Sequence, residues 1–265
     1  MTVNNRVRKK FKELAANNQK GLITYVTVGD PDLETTIQLV ETMEKAGADL
    51  LELGIPFSDP VTDGPSIQRA SYRALTKGIR VATIIQAAAR IRARVENPLI
   101  FMTYYNPVFQ YGLEKFTQDA VRAGIDGLII PDLPSEEAEP LLQITDQSGL
   151  ELIPLVAPTT TRQRLKNIGT CARGFVYCVS VTGVTGARER IDTDLAQFTG
   201  RVRKYIDLPI AIGFGLAGPQ QAAAVAPFCD AVVIGSAIVN IVAEQGPAAN
   251  PAVARLVCEI KSALG

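Results

Sequence analysis

Runs of apolar, often β-branched residues recur along the chain, and the stretches between them carry their apolar positions at the helical period. The runs are Leu22–Val28, Leu50–Ile55, Leu99–Thr103, Gly127–Pro131, Leu150–Val156, Phe175–Val179, Ile210–Gly213 and Ala231–Gly235. Each is of strand length, and near-continuous apolar character is what a parallel sheet covered on both faces requires. The same punctuation precedes several runs: Ala46-Gly47-Ala48-Asp49, Ala123-Gly124-Ile125-Asp126 and Ser148-Gly149. It predicts a helix ended by glycine, a tight turn, then a strand. Eight such units over about 250 residues predict an α/β chain forming a single (β/α)8 TIM barrel across residues 1–265. The alternative is a doubly wound open sheet. Its phosphate-binding G-x-G-x-x-G is missing after the first run, where Val28-Gly29-Asp30-Pro31 stands instead.

A short N-terminal helix is predicted ahead of the barrel. Val7, Phe11, Leu14 and Ala15 share one helical face, and the basic residues Arg6, Arg8, Lys9, Lys10 and Lys12 are expected to be solvated. The longest apolar stretch, Ala231 to Ala243, is broken by Gly235, Ser236 and Asn240 and falls short of a membrane span. A cytoplasmic location is expected.

Composition narrows the chemistry. The 265 residues include 27 Lys+Arg, 27 Asp+Glu and no histidine. Balanced charge argues against nucleic-acid binding. Without histidine there is no Ser-His-Asp triad, no Cys-His nucleophile, no His-based metal site and no His general base. None of the ten lysines falls at a strand end, where a Schiff-base enzyme would need one. The four cysteines, Cys171, Cys178, Cys229 and Cys258, form no C-x-x-C pair and are expected to be buried small hydrophobes. Neither a metal nor a covalent cofactor is expected in this chain.

In a barrel of this kind the site lies at the C-terminal ends of the strands. One acid interrupts the second run. Period-2 alternation puts Leu51, Leu53 and Ile55 on one face and Leu50, Glu52 and Gly54 on the other, so Glu52 is expected to point into the barrel. Desolvation there raises a carboxyl pKa toward the range useful for general acid–base catalysis. The loop that follows, Pro56 to Pro65, is stiffened by prolines, with Ser66 as the expected helix cap. Asp63-Gly64 and Asp59-Pro60, read alone, are ordinary turn sequences. Late glycine-rich strand ends, Thr182–Gly186, Gly213–Gly215 and Gly235–Ser236, point to a phosphate cradled by backbone amides and a helix N-terminus near Ser236. Tyr25, Phe101, Met102, Tyr104, Ile129 and Tyr177 are candidates for an apolar lining, although core packing explains such a set equally well.

The segment Leu51-Glu52-Leu53-Gly54-Ile55-Pro56-Phe57-Ser58-Asp59-Pro60-Val61-Thr62-Asp63-Gly64-Pro65-Ser66-Ile67-Gln68 resembles the signature of the tryptophan synthase alpha chain family. Gly29-Asp30-Pro31, Tyr105-Asn106-Pro107, Pro131-Asp132-Leu133-Pro134, Ala157-Pro158-Thr159, Gly183–Gly186 and Gly213-Phe214-Gly215 match it in order. The resemblance implies a lyase that cleaves indole-3-glycerol phosphate to indole and glyceraldehyde 3-phosphate in tryptophan biosynthesis. It implies Glu52 and Asp63 as catalytic, which replaces the turn reading of Asp63. Phosphate contacts at the amides of Gly186, Gly215, Gly235 and Ser236 follow, with Thr185 in the mobile loop that closes the site, as do substrate contacts at Tyr25, Tyr104, Ile129 and Tyr177. Pro56, Asp59, Asn106 and Phe109 would dock a beta chain that carries the pyridoxal phosphate, in an alpha2beta2 heterotetramer. Thr62, where alanine is common, and Ser66 depart from the pattern. A scaffold subunit and a free-standing indole-releasing lyase are the competing functions.

Overall fold

The nine strands of the computed structural model form one all-parallel sheet, which curls until its two ends meet. Residues 5–179, 188–213 and 215–265 are described, with side chains left aside at 188–193. The strands are β1 Gly21–Thr27, β2 Leu50–Gly54, β3 Leu99–Met102, β4 Gly127–Ile129, β5 Glu151–Ile153, β6 Leu155–Val156, β7 Val176–Val179, β8 Ile210–Gly213 and β9 Ala231–Ile234. Their order around the wall is β5-β4-β3-β2-β1-β9-β8-β7-β6, with at least one helix between successive strands except β5 and β6. This is the expected barrel; the open doubly wound sheet is excluded.

The expected eight runs become nine strands for one reason. Pro154 divides the fifth run, so β5 pairs only with β4 and β6 only with β7. Proline has no N–H for the ladder, but its carbonyl accepts from Tyr177 N at 3.0 Å. The two pieces therefore act as one barrel stave and close the ring.

Alternation along each strand separates two cores. Leu51, Leu53, Leu99, Phe101, Leu128 and Val232 pack outward against the helices. Ile23, Leu50, Ile100, Ile129, Ile153, Tyr177 and Val233 pack inward. Phe101 therefore does not line the barrel interior as expected; it lies on the odd-numbered, outward phase of β3, its ring 6.1 Å from that of Phe116. Gly47 and Gly124 take φ of +107° and +85° just before β2 and β4, the left-handed conformation their punctuation required.

The helix Arg6–Ala16 plugs the N-terminal end of the barrel. Val7 and Phe11 join the interior core, with the Phe11 ring 5.3 Å from Phe175. Ala15 is exposed instead of sharing the buried face. The basic side of this helix is not simply solvated either. Arg6 pairs with Asp126 at 3.0 Å and Arg8 with Glu151 at 2.6 Å, because both acids are buried at the strand starts beneath it. Of the cysteines, Cys178 and Cys229 are buried as expected, whereas Cys171 is half-buried and Cys258 exposed. Among the described residues no helix is long and apolar enough to cross a membrane.

Candidate active site

At the C-terminal end of the barrel a cavity of ≈ 240 Å³ opens, lined by Tyr25, Glu52, Asp63, Gly64, Pro65, Ile67, Met102, Tyr177, Gly215, Val233, Gly235 and Ser236. A second cavity of ≈ 210 Å³ lies between the ends of β4 and β5 and the helix Arg162–Cys171. It holds neither Glu52 nor Asp63, both of which line the first.

Glu52 sits on the inward phase of β2, in register between Tyr25 of β1 and Ile100 of β3. It is 1% exposed. Among the described residues nothing donates a hydrogen bond to its buried Oε1, and it is in no ion pair. Burial alone pushes its carboxyl up to about 8 from an ordinary 4.5. Two tyrosines frame it, and two glycines make room for them. A Cβ on Gly54 would stand 2.0 Å from the Tyr25 hydroxyl, and one on Gly213 would stand 2.5 Å from that of Tyr177. The Tyr25 hydroxyl bonds Thr27 Oγ1 at 3.2 Å. Burial raises both phenols well above their ordinary range, so they remain neutral hydroxyls.

Asp63 reaches the same cavity from the loop between β2 and the helix Pro65–Thr76. Partial burial raises its carboxyl to about 6, with the Tyr104 hydroxyl working in the opposite direction. At neutral pH the site thus holds a mostly ionised aspartate and a mostly protonated glutamate. Gly64, rather than Ser66, caps the helix that follows: Pro65 occupies the first helical position, where its missing N–H costs nothing. Nearby, Asp30 is buried and takes a bidentate pair from Arg73 at 2.8 and 2.7 Å, which ties the loop after β1 to that helix.

The helix Ser236–Gln245 starts at the same cavity with Gly235 as its cap, and among the described residues no side chain caps its first amides. Gly215, at φ +78°, has open space around its α-carbon. Free N–H groups at a helix start facing a cavity suit an anion.

The sequence profile of the tryptophan synthase alpha chain family matches residues 11–264. The chain belongs to that family. Tryptophan synthase alpha chains are lyases that cleave indole-3-glycerol phosphate in tryptophan biosynthesis. The alpha chain of Caldanaerobacter subterraneus subsp. tengcongensis is 50% identical over 240 residues, covering 91% of each chain. That of Geotalea uraniireducens is 47% identical over 239 residues, covering 90% of each. Among solved structures, the alpha chain from Legionella pneumophila subsp. pneumophila superposes with a TM-score of 0.91 at 38% identity, covering 99% of this chain and 98% of that one.

Of the residues expected at the site of this alpha chain, Glu52, Asp63, Tyr25, Tyr177, Gly215, Gly235 and Ser236 converge on the one cavity. Ile129 does not line it: it is fully buried in the interior core. Tyr104 is also outside the lining and bonds the loop at Thr62. Thr185 and Gly186 lie outside the described residues. In the expected docking segments Asp59, Asn106 and Phe109 are exposed, Phe109 to 59%, whereas Pro56 is buried. Sequence reasoning missed Pro65, Ile67 and Val233 as lining. For Ile67 the available signal was its place two residues into a helix that begins at the cavity rim.

Proposed function

We propose that Glu52 is the proton carrier for cleavage of indole-3-glycerol phosphate and that Asp63 stabilises the charge developing on the indole ring. The protonated Glu52 carboxyl delivers its proton to C3 of the indole, whose C2–C3 π pair forms the new C–H bond and leaves the ring nitrogen positive. Ionised Asp63 accepts a hydrogen bond from that N–H and offsets the charge. The Glu52 carboxylate then takes the proton from the hydroxyl on the adjoining side-chain carbon. The O–H pair becomes the aldehyde C=O, the carbon–carbon bond breaks, and its pair restores the aromatic ring. Indole leaves, and Glu52 has regained its proton.

The observation that carries this reading is the buried, unpaired Glu52 carboxyl, raised to about 8, in the same cavity as Asp63. Backbone amides at Gly215, Gly235 and Ser236 would hold the phosphate, joined by that of Gly186, and Thr185 would contact the substrate. Tyr25 and Tyr177 would flank the ring, with Tyr104 and Ile129 behind them. The alpha-chain family implies a beta-chain partner. We assign it the surface carrying Asp59, Asn106 and Phe109 with Pro56 beneath, in an alpha2beta2 heterotetramer whose pyridoxal phosphate sits in the beta chain. This chain would work as one barrel domain, without a cofactor, in the cytoplasm.

Indole release, measured with and without a beta chain, tests the assignment. Glu52→Gln and Asp63→Asn should each lower it at least ~100-fold, about 2.7 kcal/mol of transition-state stabilisation. Because the active form pairs an ionised Asp63 with a protonated Glu52, kcat/KM should rise through pH about 6 and fall through about 8. Retention of most activity in either variant removes the role proposed for that residue.

A further inference from the structure

The loop that carries Asp63 is held from two sides, and one of the holds uses a side chain the family reading does not need. From the helix side, Gln68 Nε2 donates to the Asp63 carbonyl at 2.9 Å. From the barrel side, the Tyr104 hydroxyl accepts from Thr62 N at 3.1 Å and bonds Thr62 Oγ1 at 2.7 Å. Tyr104 is a rigid post. It follows β3 directly, is 4% exposed, and its ring lies 5.1 Å from Phe57 at the other end of the same loop. Thr103 N, one residue back, bonds Ile129 O at 3.0 Å and fixes the post to the wall. Thr62, by contrast, is exposed and its neighbour Val61 is 80% exposed, so packing alone does not hold this part of the loop.

We propose that Thr62 and Tyr104 are positioning residues, a hydroxyl latch that pins the loop so that Asp63 stands at the cavity before substrate arrives. This rests on the assignment of Asp63 above. An alanine at 62 would keep the backbone bond to Tyr104 and lose the side-chain one; a phenylalanine at 104 would lose both, and with them the hydroxyl's bond to the Asp63 carboxylate. If the latch pre-orders the loop, its loss lowers the fraction of chain competent to bind, which appears in KM while kcat is kept once substrate has closed the loop.

The test measures indole release in the complex with a beta chain. Thr62→Ala should raise KM for indole-3-glycerol phosphate about 5-fold with kcat within 2-fold, and Thr62→Ser should restore wild-type KM. Tyr104→Phe should raise KM more, and adding Thr62→Ala to it should change nothing further, since one latch cannot be lost twice. A Thr62→Ala KM within 2-fold of wild type, a serine variant no better than alanine, or effects that multiply in the double variant each overturn the latch. Should Tyr104→Phe misfold, the exposed Thr62 pair still decides. Asp63→Asn separates the two readings: full activity there ends the Asp63 assignment, whereas an inactive Asp63→Asn beside an unchanged Thr62→Ala ends the latch alone.

Discussion

The N-terminal end of this barrel and the cavity at its C-terminal end both hold carboxylates and treat them in opposite ways. At the N-terminal end, Asp49, Asp126 and Asp230 each accept from an amide at the start of a neighbouring strand: Leu22 N at 2.7 Å, Leu99 N at 3.0 Å and Ile210 N at 2.7 Å. Each also faces a cation, Lys261 at 2.6 Å, Arg6 and Arg92 at 3.0 and 3.3 Å, and Arg203 at 2.8 Å. In the cavity, among the described residues, neither Glu52 nor Asp63 has a cation partner and nothing donates to the buried Oε1 of Glu52, although Asp30 nearby is paired with Arg73. An acid shared between a strand amide and a cation is a strap between strands. The same group with its partners withheld has its pKa raised by burial, which suits it to the proton transfer proposed for Glu52.

The largest effect on stability should come from breaking a strap. Asp126→Asn would leave Arg92, only 14% exposed in its side chain, and Arg6 without their counter-charge, and would weaken the acceptor for Leu99 N. Removing one partner of a buried pair strands the other, at a cost of about 3 kcal/mol. Urea titration should read that loss, while the kcat/KM of the folded fraction stays within about 2-fold of wild type. A large fall in kcat/KM of the folded variant would mean that the two ends are not separable.

Removing the unpaired acid should do the reverse. Glu52 is raised to about 8 in the folded chain, against an ordinary 4.5. Between those values the folded state holds a proton that the unfolded state has released, so wild-type stability is full below about 4.5 and falls as pH rises through about 8. Glu52→Gln removes that slope. Compared with wild type, it should gain on the order of 2 kcal/mol at pH 8.5 relative to pH 5, while losing indole release. An identical pH dependence in the two proteins would mean that the carboxyl is not held away from water.

The contrast also explains what was legible in the sequence. Glu52 stood out because one acid in a six-residue apolar run has a phase, and the phase gave its direction. Asp49 and Asp126 sat in the visible punctuation, but their amide donors lie on other strands, 27 residues away, and only pairing in three dimensions brings them together. The same limit applied to the N-terminal helix. Its apolar face was readable, but not the two buried acids waiting under its arginines. Phe101 was misjudged because a strand of apolar residues on both faces offers no polar mark to set the phase, unlike β2. Asp63 carried no periodic signal, being in a loop, and only the resemblance singled it out.

The smallest effect sharpens the question of what holds a strap. Lys261 Nζ reaches Asp49 Oδ2 at 2.6 Å and the Lys20 carbonyl at 3.2 Å, and its stem lies against Gly47, where a Cβ would meet Lys261 Cγ at 3.0 Å. Lys261→Met keeps most of that stem and removes the charge, while Leu22 N still donates to Asp49. The ammonium is 23% exposed, so water and salt already share the carboxylate's charge. The expected cost is about 0.5–1 kcal/mol in low salt, smaller at high ionic strength, with indole release unchanged. A loss as large as that of Asp126→Asn would show that the cation, not the amide, bears the strap, and the N-terminal end would then share with the C-terminal end a dependence on charge that the amide bonds argue against.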